Sequence, residues 1–494
     1  MNKRLKILVS GCLCLLLVGL AGCSIAGKNL NDALNNAVNM KSYEGNGNLS
    51  LEFTNDGAAN PMKLGDIELS SLGKIDLTIT SMKQAEPNTL SLTGKVSIMN
   101  RAIPFSLQLS KAQLAIVIDN NPKPIVFKLD TLIGQSIKVS GFDISPLFSD
   151  PNKLLSLLTP YVISNLPEVS NISSDSVKET INAESLDLQK IHLELNSKEA
   201  IELAKGLLKN MAADPAGVKA LVTQLYNAFF EQAVIKEGEL DINALIINGA
   251  AKLLIDQLPT LSASLDNASG TGALSTLLND KTSLKTDLFL DTTSQQLRKF
   301  NMDLNLGGAI KVNGSFSFWN VNQTVTADPV INTTADAFQW EGPSIMAHLL
   351  KSMNSSSDAY KLLMNDLHVL NKEIKMIVPP FDVRGKVTVG SAYISKTNRT
   401  MVPVRYISES LDSDVLWDGV KKQVTITDII TGKTIVLTLN SLKATIDGKE
   451  TKLDSPAVLT NGSTYVPVGF IAQALTGEKS GWEQATRTVS ISKK

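Results

Sequence analysis

The chain has three histidines, His192, His348 and His368. They lie far apart and none forms a His-x-His pair, so the sequence holds no local imidazole cluster of the kind copper sites favour. Asp412, Asp414 and Asp418 could touch a cation, but they lack the glycine and closing glutamate of a calcium loop. The alternative for these three is a solvated rim. Ser71-x-x-Lys74 has the spacing of an acylating serine with its lysine, yet no Ser-Asp-Asn or Lys-Thr-Gly follows it. Gly432-Lys433-Thr434 ends like a phosphate loop, but Thr427 stands where such a loop needs its first glycine, so a turn between strands is expected. The sequence has neither a His-Glu-x-x-His helix nor a Gly-x-Ser-x-Gly elbow. These residues point to no catalytic site, and no enzyme activity, metal or cofactor is expected.

One cysteine suggests a different chemistry. Lys3, Arg4 and Lys6 precede an apolar run, Ile7 to Leu20, too short for a comfortable membrane span. The pattern is that of an export signal over residues 1–22. It ends in Leu20-Ala21-Gly22-Cys23, which resembles the bacterial lipobox. The resemblance implies cleavage before Cys23 and attachment of lipid, palmitate included, at that residue. The alternative is an ordinary secretory signal with a chance cysteine. Cys12 and Cys14 would leave with the signal, so no disulfide or metal pair is expected. A formal charge of −1 gives no broad electrostatic case for nucleic acid.

The strongest organising signal is an internal repeat. Thr397 to Ile426 returns as Asn461 to Ile491, matching Pro403 with Pro467, Leu411 with Leu475 and Trp417 with Trp482. Each copy reads as an entering strand, a proline at a helix start, and one apolar helix face. Val404, Ile407 and Leu411 form that face in the first copy, and Val468, Ile471 and Leu475 in the second. Gly477 suits a left-handed cap. The two tryptophans are expected to pack over helix and sheet, ahead of closing strands Val424–Thr427 and Val489–Ser492. Asp447-Gly448-Lys449 reads as a hairpin turn. Arg384-Gly385-Lys386 takes the same place in the first half. The units, Phe381–Asp428 and Thr445–Ser492, are β-β-α-β-like.

Asn398-Arg399-Thr400-Met401-Val402-Pro403-Val404-Arg405-Tyr406-Ile407, followed by Trp417-Asp418 and Val424-Thr425-Ile426, resembles the copper amine oxidase N-terminal-like, or stalk, domain of exported proteins in Gram-positive, endospore-forming bacteria. Two departures stand out. Gly469 replaces the arginine seen at Arg405, and Asp412 stands where the family more often has glycine. Both read as drift in a structural repeat. Arg405, having no counterpart, is the candidate contact residue of the repeat. The catalytic part of such an oxidase is a separate domain, and its three imidazole ligands have no equivalent here.

Before the repeat, apolar and polar residues alternate through Leu49–Phe53, Leu90–Leu92, Val96–Ile98 and Phe105–Leu109, which marks antiparallel strands with one buried face. Residues 119–124 read as a turn. From about Asp143 to Leu278 the pattern turns helical. Asn196 and Glu199 form a capping box, with Ile201, Ala204, Leu208 and Met211 on one face. Asp214-Pro215 starts a helix carrying Leu221, Leu225 and Phe229. A third helix, Ala244 to Leu258, is stopped by Pro259, with a mobile loop from Ser262 to Thr276. Strands return from Leu284 to Phe318, and Trp340 to Ile374 reads as helical.

This order, with the start Lys28 to Phe53 and the hairpin Leu288 to Leu304, resembles LolA-like envelope lipoproteins, whose curved sheet wraps a helical plug. The resemblance implies either an apolar cavity able to hold lipid or a purely structural sheet. The alternative is an α+β domain whose helices cover one sheet face.

The expected class is α+β: a β-rich curved antiparallel sheet with a helical block, plus a small C-terminal domain of two repeats. The expected layout is a signal at 1–22, a LolA-like domain at 23–335 with its helical insertion near 143–278, a helical connector at 336–376 and the stalk domain at 377–494. The expected function is a non-enzymatic protein, lipid-anchored at the outer face of the cytoplasmic membrane, whose stalk domain touches cell wall or another envelope protein. The alternative is a carrier or sensor of a hydrophobic ligand held in the N-terminal domain.

Overall fold

The computed structural model describes residues 40–55, 62–64, 67–85, 89–110, 113–128, 145–148, 151–169, 171–230, 240–266, 277–333, 337–339, 344–379 and 391–494, with two-residue pieces elsewhere before residue 240. Two compact units emerge, Met1–Asn120 with Val126–Thr333, and Asn121–Ile125 with Thr334–Lys494. The signal segment, Cys23, Arg384-Gly385-Lys386 and most of the loop expected at 262–276 lie outside the described residues.

The first unit is built on an antiparallel sheet made of two meanders. Strands β1 (Tyr43–Phe53), β2 (Lys74–Ala85), β3 (Thr89–Ile98), β4 (Arg101–Leu109) and β5 (Gln113–Ile118) form one half in chain order. Helix α1 (Pro151–Asn165) precedes the hairpin β6 (Ile172–Ile181) and β7 (Glu184–Asn196). Helices α2 (Ser197–Ala213), α3 (Pro215–Phe229) and α4 (Ile242–Asp266) follow. Then come β8 (Ser283–Asp291), β9 (Leu297–Leu306) and β10 (Ile310–Trp319). β7 pairs with β8, and β10 pairs with β1 to join the halves. The class is α+β, as its residue pattern indicates.

The period-two pattern of the strands makes one face of this sheet apolar. Ile191, Leu193 and Leu195 of β7 share a core with Leu284, Leu288 and Leu290 of β8, Met302 and Leu304 of β9, and Leu203 and Leu207 of α2. Burying each large aliphatic side chain there contributes about 1.5–3 kcal/mol. The opposite face is mixed, with a smaller buried cluster of Ile181, Leu186, Leu188 and Phe289 beside charged residues. Across it His192 Nδ1 meets Asp287 Oδ1 at 2.7 Å, with Lys190 at 3.2 Å from the same oxygen. Burial alone would raise the Asp287 carboxyl, but the His192 ring and the Lys190 ammonium outweigh it and hold the group below the usual carboxylate range.

Three expectations change. The helical block from Asp143 to Leu278 contains the long hairpin β6–β7. Ile191-x-Leu193-x-Leu195 has the alternation of a half-buried strand and sets its register against β8. Pro259 does not end its helix, which runs to Asp266. A helix-interior proline loses its own N–H bond and crowds the carbonyl four residues back, a cost that burial of Leu258 beside it helps offset. On α2 the buried residues are Leu203 and Leu207, with Ile201, Ala204, Leu208 and Met211 only half-buried around them.

The capping box forms as expected. Asn196 Oδ1 accepts the N–H groups of Lys198 and Glu199 at 3.0 and 3.1 Å, and Glu199 Oε2 accepts the Asn196 N–H at 2.8 Å. Asn196→Ala is expected to cost about 1 kcal/mol, read as faster hydrogen exchange in the first turns of α2.

After β10 the chain crosses the first meander as an extended strap. Asn322 N–H donates to the Ser42 carbonyl at 2.8 Å, Lys83 Nζ to Asp328 Oδ1 at 2.6 Å, and Ile331 N–H to Gln108 Oε1 at 2.9 Å. These bonds satisfy polar side chains of β2 and β4 that sequence alternation alone leaves without partners.

The second unit holds α5 (Ile345–Ser352), a short helix Asp358–Lys361, and a π-helical turn Leu362–Asp366. The expected helical connector stops there, because β11 (Lys372–Ile377) is a strand paired with the last strand of the chain. Its alternating Ile374 and exposed polar neighbours suit a strand with one face buried. Next come β12 (Tyr393–Ile394), β13 (Thr400–Pro403), α6 (Val404–Ser410), β14 (Ser413–Asp418) and β15 (Gln423–Asp428). Strands β16 (Thr434–Thr438), β17 (Lys443–Ile446) and β18 (Lys449–Lys452) extend the sheet of β14 and β15. The second copy is β19 (Val458–Thr460), β20 (Ser463–Pro467), α7 (Val468–Thr476), β21 (Gly481–Glu483) and β22 (Thr488–Lys493). Each repeat is therefore β-β-α-β-β, because the segment carrying each tryptophan is itself a strand.

Candidate interaction surface and ion-pair core of the repeat module

The two copies meet about a pseudo-twofold axis. β13 pairs antiparallel with β20 so that Val402 stands directly opposite Val466, its own repeat partner. Met401 then faces Pro467, and Pro403 faces Tyr465. One core holds Val404, Ile407 and Leu411 together with Val468, Ile471 and Leu475. Pro403 and Pro467 close their strands and act as N-caps, with the helices starting at Val404 and Val468. Gly477 is the left-handed cap of α7, at φ 75°.

The sheets complete the symmetry by a permutation. β15 pairs with β16, which follows it, whereas β22 pairs with β11, which precedes the whole first copy. The strand needed to finish the second repeat thus comes from the segment read as connector.

At the seam lies a buried ion-pair cluster. Asp412 is 0% exposed and its Oδ1 accepts from Lys372 Nζ at 2.6 Å. Asp428 is also buried, with Oδ2 2.7 Å from Lys493 Nζ. Lys493 Nζ donates a further bond to the Leu411 carbonyl, 2.7 Å away, at the C-terminal end of α6. Lys372 and Lys493 stand directly opposite on β11 and β22, an arrangement that repels unless each finds an anion. Burial by itself raises the Asp428 carboxyl. The Lys493 ammonium, with the Thr431 N–H and hydroxyl, outweighs that and holds it below the usual range. Asp412 sits at φ 60°, the left-handed conformation in which glycine is unstrained. The acid there is therefore not drift, since it is the anion for Lys372.

Sequence reasoning missed Lys372, Asp428 and Lys493. A signal was present: Asp428 and Lys493 occupy corresponding places in the two copies with opposite charge, as residues facing each other near a twofold axis can.

The other candidates are dispersed. Asp414 lies 3.3 Å from His348 Nε2, and Asp418 Oδ1 accepts the N–H groups of Val420 and Lys421 at 3.0 and 2.9 Å. With Asp412 held by Lys372, the three acids point to separate partners and form no cation site. His368 Nδ1 lies 3.1 Å from the Met364 carbonyl, and His192 is in the other unit. Among the described residues no group of three or more His, Cys, Asp or Glu could hold a metal ion. Arg405 Nη1 donates to Glu409 Oε1 at 2.9 Å and to the Val415 carbonyl at 3.1 Å. Since β14 is an edge strand, Arg405 covers one of its outward carbonyls.

The tryptophans, expected to pack over helix and sheet, are partly exposed. Trp417 is 45% exposed and Trp482 42% exposed. Both lie on edge strands, β14 and β21, so each ring has neighbours on one side only. Leu411 and Leu475, by contrast, are buried.

Residues 386–491 match the family model of the copper amine oxidase N-terminal domain. That domain is a non-catalytic part of such enzymes, and the match extends over roughly a fifth of the chain. No curated protein matches the chain.

In the first unit, a pocket between α2 and the sheet is lined by Leu195, Leu203, Leu284, Leu304 and Leu306. Its internal space is about 20 Å³, room for about one water. Among the described residues no helix is long and apolar enough to cross a membrane.

Proposed function

We propose that this chain is a non-enzymatic surface lipoprotein, anchored through Cys23 at the outer face of a bacterial cytoplasmic membrane, with the repeat module as a structural or interaction element of the envelope. The observation that carries this reading is the module itself. Its functional-looking residues, Asp412, Asp428, Lys372 and Lys493, are spent on holding the two copies together, while its unspent side chains face outward. The domain it matches is non-catalytic. The Leu20-Ala21-Gly22-Cys23 ending supports the anchor. The pocket between α2 and the sheet, with about 20 Å³ of internal space, is too small for an acyl chain and gives carriage of a hydrophobic ligand no comparable support.

Cys23→Ala tests the anchor. The native chain is expected to incorporate labelled palmitate, to sediment with membranes and to be cleaved by protease added to whole cells. The variant is expected to take up no label and to leave the membrane fraction, because stable attachment rests on the acyl chains. A protein protected inside the cell, or an unlipidated one that stays on the membrane, would refute the reading.

A further inference from the structure

The hairpin β14–β15 of the first copy ends in a tip that is apolar on both faces and at its apex. Leu416 is 69% exposed, Trp417 45% and Val420 94%. Leu416 stands across from Thr425 and Trp417 across from buried Val424. Successive strand residues point to opposite faces, so the leucine and the tryptophan leave the hairpin on opposite sides. Val420 lies beyond both, in the turn that joins Asp418 to Gln423. Exposed Lys421 and Lys422 follow it. The backbone of this turn is largely satisfied within the protein. Asp418 Oδ1 accepts the Val420 and Lys421 N–H groups, and the Lys422 carbonyl accepts the Leu439 N–H at 3.0 Å. A tip built this way can leave bulk water without orphaning those groups.

The second copy shows that the fold does not require these side chains. Its hairpin β21–β22 has the same register, with Gly481 across from Ser490, Trp482 from Val489 and Glu483 from Thr488. There Gly481 takes the place of Leu416, Gln484 of Gly419, Ala485 of Val420 and Thr486 of Lys421. Gln484 Oε1 accepts the Trp482 indole N–H at 2.8 Å, whereas Gly419 offers the Trp417 indole no such acceptor. One scaffold thus carries a polar tip in one copy and an apolar, lysine-flanked tip in the other.

The arrangement decides what the apolar tip fits. A flat protein partner covers one face of a hairpin and would leave either Leu416 or Trp417 in water. Pairing of an added strand along β14 is obstructed where Arg405 occupies the Val415 carbonyl. A fluid apolar phase, by contrast, surrounds both faces and the apex together. At the edge of a bilayer an indole buries its ring and turns its N–H to the headgroups. Lysines beside it complement anionic headgroups.

We propose that Leu416, Trp417 and Val420, flanked by Lys421 and Lys422, insert into the headgroup boundary of an anionic phospholipid membrane, as a second contact of the chain with lipid. This rests on the lipoprotein reading, which places the module beside such a surface. A chain already held by acyl groups needs only weak affinity at the tip, because the tether raises its effective concentration. The second copy's hairpin stays in water.

The test uses the full chain with an environment-sensitive fluorophore on a cysteine introduced at the apex, Val420→Cys, or at the matching turn of the second copy, Ala485→Cys. Each is mixed with an excess of vesicles made of phosphatidylglycerol and phosphatidylethanolamine, or of phosphatidylcholine alone. In the anionic vesicles the probe at 420 is expected to shift to the blue and to be quenched by nitroxide-labelled acyl chains, and the probe at 485 to do neither. Leu416→Gly, which installs the second copy's own residue, should lower the ratio of inserted to water-exposed probe about tenfold. Lys421→Thr should lower it about fivefold. Native amide protection at Val402 and Val466 in both variants separates loss of the tip contact from misfolding. An unquenched probe at 420, equal quenching at 485, or a blue shift at 420 that grows with protein concentration in the absence of vesicles, which would mark a second copy as the occupant, would overturn the proposal. The mass of the N-terminal peptide from the same preparation reads the anchor separately. A peptide without acyl groups refutes the lipoprotein reading, while an acylated peptide with an unquenched probe at 420 removes this inference alone.

Discussion

Lys493→Met is expected to destabilise the repeat module by about 3–5 kcal/mol, because it leaves the Asp428 carboxylate buried without its cation. The Asp428 side chain is 4% exposed, so water cannot replace the ammonium. The substitution also removes the donor to the Leu411 carbonyl at the end of α6. The pH dependence carries the sign of the effect. In the native module the Asp428 carboxyl lies below its ordinary value, so the pair contributes stability above the unfolded carboxyl value of about 4 and loses it as pH falls through the folded value. With the ammonium gone, burial raises the carboxyl instead. The variant's deficit is then largest at neutral pH and shrinks on acidification. Hydrogen exchange at the Val402 and Val466 amides, at the pseudo-twofold seam, reads this directly. A deficit that stays constant between pH 4 and pH 8 would contradict the assignment.

The faces of the two repeat helices and the turn chemistry were legible because they are local, whereas the face expected for α2 was not the buried one. The capping box at Asn196, the apolar faces after Pro403 and Pro467, the left-handed Gly477 and the Asp447-Gly448 hairpin each depend on residues within one turn of each other. Four other features were not. The hairpin β6–β7 lies inside a stretch whose neighbours are helical, and its alternation gains meaning only from the pairing with β8. β11 was hidden because its partner β22 is at the far end of the chain. The partial exposure of the tryptophans was not legible because only the edge position of β14 and β21 shows that one side has no neighbouring strand. Asp412 looked like drift because the meaning of an acid at a glycine position depends on Lys372, forty residues away in sequence.

Lys372→Met tests that last point. Asp412 is wholly buried, and its second carboxylate oxygen has no hydrogen-bond partner in the protein, so Lys372 supplies its compensating charge. Removal of that lysine is expected to cost about 3–5 kcal/mol. Asp412→Gly should behave differently. It relieves a side chain held at φ 60°, which offsets about 1 kcal/mol, and leaves behind a lysine whose side chain is 32% exposed and can be hydrated. That single change is expected to fall within about 1 kcal/mol of the native protein. Combining the two should recover most of the loss caused by Lys372→Met, since neither buried charge then remains and only the packing of a methionine stem is altered. The thermodynamic cycle isolates the pair from the rest of the cluster, because Asp428 and Lys493 keep their own contact in every variant. If Asp412→Gly is as damaging as Lys372→Met and the double change recovers nothing, the acid at this glycine position serves its own backbone or a buried water, and the ion pair is incidental.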